Sequence, residues 1–211
     1  MKYTNQNGRS MVEMLGVLAI IGVLSVGGIA GYSKAMNKFK INKTTDQVSV
    51  LVANLRTMFA AQGNYEGLDE AQAINFGVVP DDMIKSGEVK EGDTPIKNAF
   101  GGDVTIKASP LSDSETSGAF TIVYKSLSQE ACVTLATGDW GSGQSSGLIA
   151  IGAGVIDDLD DAVVGGEGTT AGKDTGVIAQ PGGENVKIPM PVSEAVTACA
   201  AQSPSVLWKY Y

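Results

Sequence analysis

A single carboxylate, Glu13, stands at the mouth of an uncharged apolar run of 18 residues, positions 14–31. As a helix this run rises roughly 27 Å at ~1.5 Å per residue, close to the hydrocarbon thickness of a bilayer. A carboxylate drawn into lipid costs on the order of 2.5–3.5 kcal/mol, so an acid in that place is either idle among headgroups or kept for a partner charge. Three further groups have residue types capable of chemistry. The sequence GQSSG at 143–147 matches G-x-S-x-G with Ser145 at the nucleophile position. That mechanism needs a strand–turn–helix elbow and a histidine base, and the chain contains no histidine, so Ser145 reads as loop. Asp157, Asp158, Asp160 and Asp161 offer oxygen ligands for calcium. They do not follow the D-x-[DN]-x-[DN]-G loop pattern, and a solvated acidic loop is the simpler reading. Cys132 and Cys199 are the only cysteines. In an exported domain they read as one disulfide, in a cytosolic protein as two buried thiols, and the hydrophobic segment points to export.

Composition narrows the function classes further. The lack of histidine removes Ser-His and Cys-His nucleophile pairs and the commonest zinc ligand. No phosphate-binding glycine loop and no Cys/His metal spacing occurs, so no cofactor is expected. The net charge of −8 is unevenly spread: residues 1–63 carry +5 and residues 64–211 carry −13. A basic stalk on an acidic body suggests like bodies packed on complementary stalks, or a basic surface near anionic lipid. The acidic body carries no basic, aromatic-studded face, which argues against nucleic acid as a ligand.

The elements that would position Glu13 follow from the pattern around it. Past Gly31 the run becomes amphipathic: Ile41, Val48, Leu51, Leu55, Met58 and Gln62 recur at helical spacing, with Lys34, Lys38, Asn42, Asp46 and Asn54 opposite. No proline precedes Pro80, and Gly63-Asn64 is a candidate C-cap. The expectation is one helix over about 9–62, the alternative two helices broken at Gly27-Gly28. Gly16, Gly22, Gly27 and Gly31 lie along the run, with Gly27 and Gly31 forming a small-xxx-small pair suited to close helix approach.

The second half predicts an α+β head. Residues 68–76 and 80–85 read as short helices or turns, and 103–108 and 119–125 as an antiparallel strand pair. Residues 128–137 form a short helix capped by Ser128 and carrying Cys132; 193–201 form another carrying Cys199. Residues 148–151 and 186–188 are candidate short strands, and 206–210 (VLWKY) closes the sheet last. The Gly-, Asp- and Thr-rich stretch 157–183 reads as a long surface excursion.

The leader MKYTNQNG ending in Gly8, the new N-terminus at Arg9, and Glu13 as the fifth residue after it resemble the prepilin signature. The SQEACVTLATGDW stretch and the second cysteine near the end are similar to the larger, type IVb pilins. Arg9 departs from the pattern, since the family's first mature residue is usually an N-methylated Phe or Met. The resemblance implies a pilin fold, a long N-terminal helix packed on a C-terminal antiparallel sheet head with one Cys132–Cys199 disulfide. It divides the chain into a leader (1–8), a transmembrane and filament-core half-helix (9–31), an amphipathic half-helix (32–63) and a globular head (64–211).

By the same resemblance the chain is not an enzyme but a structural subunit of a type IV pilus, a helical homo-oligomer with roles in adhesion or surface attachment. Its partners would be prepilin peptidase, which cleaves between Gly8 and Arg9, the pilus assembly machinery and the bacterial inner membrane. The head would face the periplasm before the filament becomes extracellular. Glu13 would set subunit register by meeting a neighbour's N-terminus, with Arg9 adding a second positive group. Lys34, Lys38, Lys40 and Lys43 follow the span and outnumber Lys2 and Arg9 before it, so the positive-inside rule alone would put the head in the cytoplasm. The cysteine pair and the resemblance outweigh that rule. A minor pilin, a type II secretion pseudopilin and a membrane-tethered binding module are the rival readings.

Overall fold

The computed structural model describes residues 11–86, 94–112, 115–141, 146–162, 164, 166–172 and 176–211. Ser145 and the Gly8–Arg9 pair fall outside these residues. The chain divides into two compact units after Phe39, and one helix, α1 (Met11–Phe59), crosses that division. α1 continues through Gly27-Gly28 without a break. With no proline in the segment, every interior N–H can donate, and the glycines weaken the helix without stopping it.

α1 ends at Phe59, a turn earlier than residue 62. The N–H groups of Gln62 and Gly63 both reach the Phe59 carbonyl, at 3.0 and 3.1 Å. Gly63 has φ +74°, the left-handed geometry that a glycine closes a helix with. The buried stripe of the second half is Ile41, Thr44, Gln47, Val48, Leu51, Leu55 and Phe59. Phe59, four residues past Leu55, takes the place the sequence pattern assigned to Met58, which is 46% exposed. The difference is one step of 100°: a +4 rather than a +3 step keeps the stripe on the sheet.

The second unit (Lys40–Tyr211) is an antiparallel six-stranded sheet covered on both faces. After α1 come α2 (Glu70–Asn75), a 3-10 turn (Asp81–Met83), β1 (Val104–Ser109), β2 (Ala119–Tyr124) and α3 (Gln129–Ala136). They are followed by β3 (Leu148–Gly154), β4 (Thr169–Gly172), β5 (Gly176–Ala179), α4 (Val192–Ala198) and β6 (Ser205–Tyr210). Strand order is β1-β2-β6-β3-β5-β4. β1 and β2 pair antiparallel, Ile106 opposite Ile122, as their alternation predicts. Asp69 and Ser128 cap α2 and α3, each side-chain oxygen accepting a backbone N–H three residues on.

Three expectations are corrected. β6 lies at the centre of the sheet rather than closing it, paired to β2 on one side and β3 on the other. Residues 186–188 form no strand; Lys187 makes a single parallel bridge to Gln180. The 157–183 stretch is no simple surface excursion, because β4 and β5 form an antiparallel hairpin within it and β5 pairs with β3. Gly and Thr lower the apolar signal there, yet Val177 and Ala179 are fully buried against the sheet.

One sheet face carries Ile106, Phe120, Ile122, Tyr124, Ile151, Trp208 and Tyr210 in one apolar cluster with the α1 stripe. The other face carries Ala119, Val123, Ile149 and Leu207, roofed by Leu159 and Ala162 from the acidic segment. A central strand buried on both faces reads as a continuous apolar run in sequence, and β6, past its first residue Ser205, breaks that run only at Lys209.

Candidate functional site

In the first unit the α1 side chains are exposed on every face. Met11, Val12, Leu15, Leu18, Ile21, Leu24 and Ile29 are all more than half exposed, and none of the most apolar 18-residue window is buried. A helix that is apolar all round is stable only when lipid or other helices cover it. The sole acid of this stretch, Glu13, sits in the first turn. There the helix dipole favours a negative charge by about 0.3–1 kcal/mol.

At 3.6 residues per turn, Glu13, Gly16, Gly27 and Gly31 fall within a wedge of about 60°, while Gly22 lies on the far side. Nothing lies within 4 Å of where a Cβ would stand on any of these glycines. Gly16, Gly27 and Gly31 thus leave shallow notches below Glu13 on one face, where another backbone can approach closely.

The head is fastened at three places. Cys132 on α3 and Cys199, which caps α4, form a disulfide with Cα atoms 5.8 Å apart, closing a sequence separation of 67 residues. This is the pairing the resemblance implied. Second, Lys43 of α1 donates to the Asp82 carboxylate at 2.7 Å, and Gln47 reaches the same oxygen at 3.2 Å. The Lys43 hydrogen bond outweighs partial burial and holds the Asp82 carboxyl below the usual carboxylate range. Third, Arg56 donates twice to the Tyr211 carbonyl, at 3.0 and 2.7 Å, and lies over the Tyr210 ring at 5.3 Å. Burial pushes the Tyr210 hydroxyl up to about 12 despite that cation. Gly147 (φ +74°) lies against the guanidinium, and a side chain there would overlap it.

The acidic segment is an anchor. Asp160 accepts from Lys107 at 2.9 Å and Ser109 at 2.8 Å on β1, and Asp157 pairs with Lys125 at 2.8 Å. Burial raises the Asp160 carboxyl, but the Lys107 and Ser109 hydrogen bonds win and hold it below the ordinary range. Under the segment lies Lys209, fully buried, its ammonium donating to the carbonyls of Leu159 at 2.8 Å and Asp160 at 3.3 Å. Desolvation lowers its pKa to about 8. Among the described residues no group of three or more acids or cysteines is placed to hold a metal.

Sequence reasoning missed Lys209, Lys107 and Arg56. The alternation of VLWKY places Lys209 with Leu207 on the second face, and only the segment above makes that face interior. Nothing local marks Arg56, whose partners are 155 residues away.

Comparison with known proteins matches this architecture. The model of the PilS N-terminal family matches residues 37–208. The toxin coregulated pilin of Vibrio cholerae is 30% identical over 183 residues, covering 83% of this chain and 75% of that protein. The toxin coregulated pilin of a Vibrio cholerae O1 El Tor strain is 26% identical over 136 residues, 64% of this chain and 59% of that one. Among solved structures, TcpA, a type IV pilin from Vibrio cholerae El Tor, shares the fold with a TM-score of 0.54 at 19% identity, covering 82% of this chain and 99% of that one. With most of its length matched by the PilS N-terminal family and a named pilin at 30% identity, this chain belongs to that family and is a pilin with the type IV pilin fold.

Proposed function

We propose that this pilin is made as an inner-membrane precursor, cleaved after Gly8 by prepilin peptidase, and built by the pilus machinery into an extracellular type IV filament through its N-terminal helix. In this reading residues 1–8 are leader, 9–31 filament core, 32–63 the amphipathic half-helix and 64–211 the surface-forming head, with roles in adhesion or surface attachment. The observation that carries it is the start of α1, residues 11–31: a helix apolar on all faces and exposed throughout, with one acid in its first turn. Such a helix needs a cover that the described residues do not supply, and a bilayer and then neighbouring helices provide one in sequence.

Cleavage frees a positive N-terminus on Arg9, and a neighbour's Glu13 is its natural partner. An unpaired carboxylate in an apolar bundle is costly, and a hydrogen-bonded positive group offsets much of that cost. The pair therefore rejects wrong axial registers more than it adds net stability. Glu13→Gln should leave membrane insertion and leader cleavage intact while cutting filament yield at least tenfold. Normal filaments from that variant would refute the register role. The intact mass and N-terminal sequence of subunits sheared from the cell surface test the cleavage site, which predicts Arg9 as first residue.

A further inference from the structure

Four lysines follow the apolar span on α1, and the structure divides them into two pairs. Lys40 lies over the Phe100 ring at 5.6 Å and Lys43 is held by Asp82, so both are engaged by the head. Lys34 and Lys38 are exposed, and among the described residues neither makes an ion pair. They are four positions apart on one helix face, roughly 6 Å along the axis, about the depth of one headgroup layer. The pair begins two residues after Tyr32, which is 67% exposed at the end of the span. An aromatic with a polar tip next to long basic side chains is the residue pattern of a membrane–water interface.

We propose that Lys34 and Lys38 bind the phosphates of anionic phospholipid in the leaflet where the helix leaves the membrane, fixing the depth of the precursor until it is extracted. The inference rests on the membrane-precursor reading above. The positions of the lysines support it: a basic pair directly beyond an apolar span stands at headgroup depth, where each positive charge is attracted to anionic lipid. The acidic head of a second copy is the rival occupant. The pair's continuity with the span and its match to the headgroup depth favour lipid.

The test uses the full-length pilin in vesicles of mixed phosphatidylglycerol and phosphatidylcholine, with spin-labelled forms of each lipid reporting selectivity at the protein surface. At low salt the wild type should prefer phosphatidylglycerol by roughly fivefold or more, since each basic residue near an anionic surface contributes about that factor. The preference should fall severalfold in K34Q/K38Q, which keeps Lys2 and Arg9, fall toward unity at high salt, and persist in K34R/K38R. No preference, or the same preference in K34Q/K38Q, overturns the proposal. Unchanged lipid selectivity combined with lost filaments in K34Q/K38Q assigns the lysines to a second copy instead. A pilin extracted from its vesicles at alkaline pH would strike the membrane-precursor reading itself, a separate failure from absent selectivity in an embedded protein.

Discussion

The two halves of α1 are made of similar residues and meet opposite fates. From Met11 to Phe39 leucines, isoleucines and valines are exposed on every side, whereas from Ile41 to Phe59 a single stripe disappears beneath the sheet. The second half has its cover encoded in the same chain, in Ile106, Phe120, Ile122 and Tyr210. The first half has no such cover among the described residues. Burial of apolar area is worth about 25 cal/mol per Å² whoever supplies the covering surface. One half spends that driving force on folding; under the proposed function the other keeps it for lipid and assembly.

This contrast can be broken from the head side. Both tryptophans, Trp140 and Trp208, lie in the head with ring centroids 4.9 Å apart, so their fluorescence during urea unfolding in detergent reports on that unit. Reducing the disulfide or replacing both cysteines by serine should have the largest effect, roughly 4 kcal/mol for a loop of this length. Leu51→Ala, at a fully buried position of the α1 stripe, should cost about 3 kcal/mol. A loss under 1 kcal/mol would mean that the helix stripe is not integral to the head.

Lys209 tests the second face of the sheet. Its folded pKa of about 8 lies below the ordinary lysine value near 10.4. Between those values the unfolded chain binds a proton that the folded chain has released, so this site's contribution to stability rises with pH across that window. In Lys209→Met the rise should be absent. The stability difference between wild type and variant should be flat below pH 8 and shift in favour of wild type by on the order of 3 kcal/mol above it. Asp160→Asn should cost about 1 kcal/mol at neutral pH, because its ion pair with Lys107 is partly exposed. Its folded pKa is depressed, so that contribution is complete above the unfolded value and disappears as pH falls through the folded one. The smallest effect is expected in the other half of α1. Leu18→Ala should change head unfolding by less than about 0.5 kcal/mol, the range for positions away from the core. A larger change would show that the first unit is not independent of the head.

Much of this was legible locally. The continuous helix, the capping serine of α3, the β1–β2 pair and both cysteine-bearing helices follow from periodicity and cap chemistry, which act within a few residues. The hairpin β4–β5 was not legible, because Thr-Thr-Ala-Gly and Gly-Val-Ile-Ala carry too little apolar alternation to separate a strand from a loop. In sequence the acidic run 157–161 reads as solvated because its counter-ions, Lys107 and Lys125, stand far away in the chain.

The sequence by itself determined that α1 has an apolar half with one acid at its entrance, and that the head carries two cysteines and alternating strands. Those features arise from composition and short-range spacing. Tertiary structure alone decided that β6 is central, that Lys209 is interior, and that Arg56 meets Tyr211. Each depends on bringing residues tens to more than a hundred positions apart into contact. Local propensity does not encode such pairings; they are selected by the burial and hydrogen bonding of the whole sheet.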